Sequence, residues 1–228
     1  MSANPVYVAV DTADPDRARA LIAALRGSVG GFKLGLQFWN ANGPAGVAAL
    51  RKDMGDAGLF LDLKLHDIPN TVAAAARSVE ALGVDILTVH AAGGREMMSA
   101  ARDALPGAAK VVGVTVLTSM SDDEMTDIGV SDKAAAQVDR LAGLARDSGL
   151  DGIVCSPLEV ADRRAAWPDG LLVVPGIRPE GAALNDQKRV MPPRAAVEAG
   201  ADILVIGRPI TAADDPRAAA EAIRQSLS

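Results

Sequence analysis

The sequence predicts a (β/α)8 TIM barrel, a single catalytic domain spanning residues 1–228. Three observations predict it. Short aliphatic runs alternate with longer Ala-rich stretches of helical spacing, the pattern of βαβ units around a parallel sheet. Eight such runs fit into 228 residues, a little under the ~250 typical of the barrel. The first run is followed by Asp11-Thr12-Ala13-Asp14-Pro15, without the Gly-rich phosphate turn that an open doubly wound sheet would be expected to carry there.

Taken in order, strands are expected at Val6–Val10, Phe32–Leu36, Leu59–Lys64, Asp85–Val89, Val111–Val116, Gly152–Cys155, Leu171–Val174 and Ile203–Ile206. Helical spacing is clearest over Asp16–Leu25, Thr71–Ala81, Asp132–Asp147 and Pro193–Ala199. The phrases Leu82-Gly83-Val84-Asp85, Ser148-Gly149-Leu150-Asp151 and Ala199-Gly200-Ala201-Asp202 repeat one idea, a helix closed by a glycine cap and then a new strand. The longest irregular stretch, Pro175–Pro193, is rich in Gly and Pro and is followed by another βα unit, so it is expected to be a functional loop rather than a linker.

Composition removes several function classes. With 23 Lys+Arg against 29 Asp+Glu, the net charge of −6 leaves no basic footprint for nucleic acid. No apolar run approaches the ~18 residues of a membrane span, and Met1–Asp11 lacks the basic and apolar regions of a signal peptide. The single cysteine, Cys155, forbids an intrachain disulfide and fits a reduced, cytoplasmic setting. Aromatics are 3% of the chain, so an aliphatic core is expected.

Against that aliphatic background, charges stand where a barrel should be apolar. In the third strand, Leu61-Asp62-Leu63-Lys64-Leu65 alternates. Residues two apart share a face, so the leucines face the helices and Asp62 and Lys64 face the barrel interior. Unpaired charge is costly there, and a buried ion pair seldom outperforms an apolar pair in stability. A functional role for the pair follows, with Asp67 adding a second acid in the loop. In the second strand Lys33 lies on the face opposite Phe32 and Leu34, with Asp62 as its obvious partner. Asp11 ends the first strand at the same rim, either as a helix cap or as a site residue.

Active sites of such barrels form at the C-terminal strand ends, and the loops after strands seven and eight commonly bind phosphate. Here those loops carry Pro175-Gly176-Ile177-Arg178 and Gly207-Arg208-Pro209. Arg178 and Arg208 can each fork onto phosphate oxygens. Thr118, after the fifth strand, either meets a ligand or starts a turn. His66 and His90 are candidate acid–base groups, with His90 expected as a hydrogen-bonded rim residue, and no HxH or HExxH spacing points to a metal. Cys155 is expected at a strand end in the core, and Trp39 and Trp167 in packing roles.

The run Asp62-Leu63-Lys64-Leu65-His66-Asp67-Ile68-Pro69-Asn70-Thr71 resembles the signature of the orotidine 5′-phosphate decarboxylase family. Its D-x-K-x-x-D core is shared with sister phosphosugar enzymes, and the Ile-Pro-Asn-Thr continuation is more specific. The resemblance extends through Val10-Asp11, Phe32–Gly35, Val114–Ser119, Pro175–Arg178, Asn185–Arg189 and Ile206–Ile210, and is of the bacterial type. It implies conversion of orotidine 5′-phosphate to UMP and CO2 without metal or organic cofactor. Lys33, Asp62, Lys64 and Asp67 match the family's charged tetrad, with Asp67, Ile68 and Thr71 supplied across a homodimer interface. Asp11 and Lys33 match ribose contacts, Thr118 a pyrimidine contact, and Gln187, Gly207 and Arg208 the phosphate site, with Arg178 starting its loop. Two rivals share the barrel. A Mg2+-dependent phosphosugar decarboxylase or aldolase would recruit Asp62 and Asp67 for metal. A non-catalytic sensor of phosphate ligands would have no need to keep Lys64.

Overall fold

The computed structural model describes residues 4–179 and 190–227. Gln187, the Asn185–Arg189 motif and the centre of the Pro175–Pro193 loop, residues 180–189, lie outside the described residues. All eight expected strands form: β1 Val6–Ala9, β2 Gly31–Gly35, β3 Gly58–Leu65, β4 Ile86–His90, β5 Lys110–Val114, β6 Gly152–Val154, β7 Leu171–Val174 and β8 Ile203–Ile206. They close in sequence order into a parallel barrel, β1 pairing with both β2 and β8. The helices are α1 Pro15–Leu25, α2 Leu36–Arg51, α3 Pro69–Glu80, α4 Arg95–Ala104, α5 Asp122–Asp127, α6 Ala134–Asp147, α7 Val160–Ala166, α8 Pro193–Glu198, α9 Arg208–Thr211 and α10 Pro216–Ser226. Among the described residues no helix is long and apolar enough to cross a membrane.

Strand alternation sorts the core into two layers, as expected of a parallel sheet buried on both faces. Inside the barrel lie Tyr7, Ala9, Phe60, Ile86, Val112, Val173, Ile203 and Val205. Between strands and helices lie their sequence neighbours, among them Val6, Val8, Phe32, Leu34, Leu61, Leu87, Leu172 and Leu204. The core is aliphatic in number, yet all three phenylalanines and the one tyrosine are among its largest fully buried side chains. Trp39 and Trp167 pack against the outer layer at partial burial, in the packing role expected of them.

Local chemistry explains the helix starts. The Asp14 carboxylate accepts the N–H groups of Asp16 and Arg17 and caps α1, with Pro15 at the first helical position. Asp11 is therefore not the cap and is left for the barrel rim. Ser121 and Glu124 form a reciprocal capping box on α5.

Candidate active site

A cavity of about 540 Å³ opens at the C-terminal ends of the strands, within the size range of sites for nucleotide-sized ligands. Its lining brings together Asp11, Lys33, Asp62, Lys64, Thr118, Arg178, Gly207 and Arg208, residues from six strands or the loops after them. Cys155 also lines it while remaining almost fully buried, so the strand-end core position expected for it holds.

The charged cluster is continuous. Lys64 Nζ donates to Asp62 Oδ1 at 2.7 Å. Lys33 Nζ stands 3.4 Å from Asp62 Oδ2 and donates to Asp11 Oδ1 at 3.1 Å. Burial pushes the Asp62 carboxyl up, but Lys33 and Lys64 outweigh it and hold the group below the ordinary carboxylate value. Burial likewise pushes Lys33 down, and the charges of Asp62 and Asp11 outweigh it and raise the ammonium above its ordinary value. Both directions keep Asp62 and Lys33 charged at neutral pH.

Lys64 reaches its place through a break in the sheet. The β3–β4 register runs Phe60–Ile86 and Leu61–Leu87, then jumps to Leu65–Val89, so β3 carries extra residues at the bulge. Lys64 sits there at φ +49°, the only positive φ outside glycine among the described residues. A non-glycine residue in that region carries strain of about 1–2 kcal/mol, and such strain gathers at functional sites. The simple alternation expected for this strand assigns the faces correctly but not the bulge.

On the far side, Arg178 is buried to 8% exposure, so it is not a solvated surface arginine. One guanidinium N–H donates to the Ile177 carbonyl at 2.9 Å, and its buried Nε has no hydrogen-bond partner among the described residues. Burial lowers its pKa, and the nearby charge of Arg208 lowers it further. Two guanidiniums brought together at a cavity wall favour an anion between them. Arg17 lines the same cavity and was not legible as a site residue, since it stands in the exposed first turn of a helix.

Three expected positions lie elsewhere. Asp67, Ile68 and Thr71 are exposed and do not line this cavity. Asp67 Oδ1 accepts the N–H of Ile68 at 2.7 Å, and Ile68 is 66% exposed at the start of α3. A single chain thus assembles Asp62 and Lys64 but not the third member of the acid–base–acid set. His90 departs from its expected role as a hydrogen-bonded rim residue. Its ring stacks on His66 at 5.4 Å and its buried Nδ1 has no hydrogen-bond partner among the described residues. Burial holds its pKa below the ordinary histidine value, and His66 and Lys64 lower it further. Among the described residues no group of three His, Cys, Asp or Glu side chains is disposed to hold a metal ion.

A closed parallel barrel with an inward Asp–Lys pair and two arginines lining one strand-end cavity defines a TIM-barrel protein with a charged strand-end site. The sequence model of the Orotidine 5′-phosphate decarboxylase / HUMPS family matches residues 4–223, and the chain belongs to that family. It is 53% identical over 226 residues to an orotidine 5′-phosphate decarboxylase of Novosphingobium aromaticivorans, covering 98% of this chain and 99% of that one. It is 54% identical over 233 residues to one from Paramagnetospirillum magneticum, covering 98% of each. The crystal structure of orotidine 5′-phosphate decarboxylase from Lactobacillus acidophilus superimposes with a TM-score of 0.87 at 37% identity, over 99% of both chains.

Proposed function

We propose that this protein is a cytoplasmic orotidine 5′-phosphate decarboxylase, a carboxy-lyase that makes UMP and CO2 in the last step of UMP synthesis de novo. The observation that carries the reading is the inward Asp62–Lys64 pair, tied through Lys33 to Asp11 and facing Arg178 and Arg208 across one cavity. Relatives about half identical along nearly their whole length, all bearing that name, support it.

The chemistry asks for this arrangement. When the bond from C6 to the carboxylate breaks, CO2 leaves and the electron pair stays in the ring plane, where the π system cannot delocalise it. The Lys64 ammonium stabilises that charge and then donates its proton to C6, giving UMP, and solvent later restores the proton. Preorganised charge of this kind is usually the largest catalytic contribution. Asp62 aims Lys64 through the hydrogen bond it accepts from Nζ. Asp11 and Lys33 hold the ribose hydroxyls, Thr118 meets the pyrimidine, and Gln187, Gly207 and Arg208 bind the phosphate at the loop that Arg178 begins. Binding energy gained at the remote phosphate is spent on organising the reacting end. The exposure of Asp67, Ile68 and Thr71 supports a homodimer in which each chain lends these residues to its neighbour's site.

Purified protein incubated with orotidine 5′-phosphate is expected to deplete the orotate absorbance and release UMP, equally with and without EDTA. Folded protein that leaves the substrate intact would overturn the reading. Activity lost on chelation and restored by Mg2+ would favour the phosphosugar branch.

A further inference from the structure

One neutral side chain contacts both members of the Asp62–Lys64 pair. We propose that Thr88 is a positioning residue of this site, whose single hydroxyl locks the Lys64 backbone into its left-handed conformation and orients the Asp62 carboxylate; the inference rests on the decarboxylase reading and deepens it. Thr88 lies on the inward face of β4, two residues after Ile86, and is fully buried. Its Oγ1 accepts the Lys64 backbone N–H at 2.8 Å and donates to Asp62 Oδ1 at 3.1 Å. The same Oδ1 accepts Lys64 Nζ at 2.7 Å. Backbone, hydroxyl, carboxylate and ammonium therefore close into one ring of hydrogen bonds.

The sheet itself makes the hydroxyl necessary. Where the β3–β4 register jumps from Leu61–Leu87 to Leu65–Val89, Lys64 stands outside the regular pairing. A buried backbone N–H without an acceptor is costly, and at φ +49° the Lys64 backbone is already strained. Thr88 supplies the acceptor at that point, and its one proton is committed to the carboxylate that holds Nζ. A serine hydroxyl can do both, whereas valine, of equal shape, can do neither.

Two pairs of variants isolate the hydroxyl. Thr88→Val against the wild type removes it at constant shape, and Thr88→Ala against Thr88→Ser removes it with the methyl already gone, should the valine variant not fold. In each pair the loss of the hydroxyl is expected to lower kcat by roughly 10- to 100-fold, the scale of a hydrogen bond to a charged group, while UMP affinity stays within about threefold. Thr88→Ser is expected to stay within about threefold of wild type in kcat. Crystals of Thr88→Val, or of Thr88→Ala, are expected to show Lys64 relaxed from its positive φ and Nζ withdrawn from Asp62. Folded variants with wild-type kcat, or serine as impaired as alanine, would overturn the proposal. If the wild type itself does not turn over orotidine 5′-phosphate, the decarboxylase reading fails by itself. The crystals still decide positioning, and an unmoved Lys64 in the hydroxyl-free variant would overturn it.

Discussion

Gly35 sets the tolerance of the charged cluster. A Cβ there would stand 3.1 Å from Lys33 Nζ and 3.6 Å from Asp11 Oδ1, so only glycine leaves the ammonium its full room between the two carboxylates. At this scale the sequence is legible wherever a residue breaks a pattern. Asp62, Lys64 and Lys33 announce themselves as charges on strand faces that should be apolar, and all three line the cavity. Thr88 is not legible, because a threonine in a strand is ordinary and its importance arises only from a bulge in the neighbouring strand. His90 misleads for a related reason: its ring finds a stacking partner instead of a hydrogen bond. The arginines give a direct prediction. If Arg208 reads the phosphate, Arg208→Ala lowers kcat/KM for orotidine 5′-phosphate by roughly 30- to 150-fold, about 2–3 kcal/mol for a charged hydrogen-bonding group. Turnover of the bare nucleoside orotidine is unchanged. Steady-state kinetics with both substrates checks this, and an equal proportional loss for the two would show that Arg208 does not read the phosphate.

Between residue and barrel, the repeated Gly-x-Asp phrases explain how the strands are stitched at the end away from the site. Gly83, Gly149 and Gly200 adopt the positive φ of helix caps, as the sequence reading requires. The aspartates that follow do something the one-dimensional pattern does not reveal, because their partners lie on the preceding strand. Asp85 accepts the Leu59 N–H at 2.7 Å, Asp151 the Val111 N–H at 2.9 Å, and Asp202 the Leu172 N–H at 2.7 Å. Each also meets an arginine from a preceding helix: Arg51, Arg102 and Arg164. Asp151 is the most buried of the three and binds Lys110 as well. Asp151→Ala strands a backbone donor and two cations, so a loss of about 1–3 kcal/mol is expected in urea denaturation. The loss is smaller for Asp85→Ala and Asp202→Ala, whose carboxylates are half exposed. Activity per folded molecule stays within twofold of wild type, since the N-terminal face of the barrel serves stability and the C-terminal face chemistry.

The whole molecule was the most legible level. Eight aliphatic runs and the missing glycine turn predict a closed barrel, and β1 closes on β8 in register. Assembly was legible only through the family resemblance, because no local pattern says that Asp67 serves another chain. Asp67 is exposed and lies outside the cavity that holds Lys64. In the proposed dimer, Lys64 works between Asp62 of its own chain and Asp67 of a neighbour. Mixing two dead variants tests it most directly. Lys64→Ala and Asp67→Ala are each inactive as homodimers on this account. In a mixed dimer of C2 symmetry, one site draws Lys64 and Asp67 from the two undamaged sources, and the other site lacks both. Random reassortment gives about half mixed dimers with one good site in two, so roughly a quarter of wild-type activity is expected to return. Mixed dimers verified by co-purification of differently tagged chains, yet showing no recovered activity, would contradict the claim.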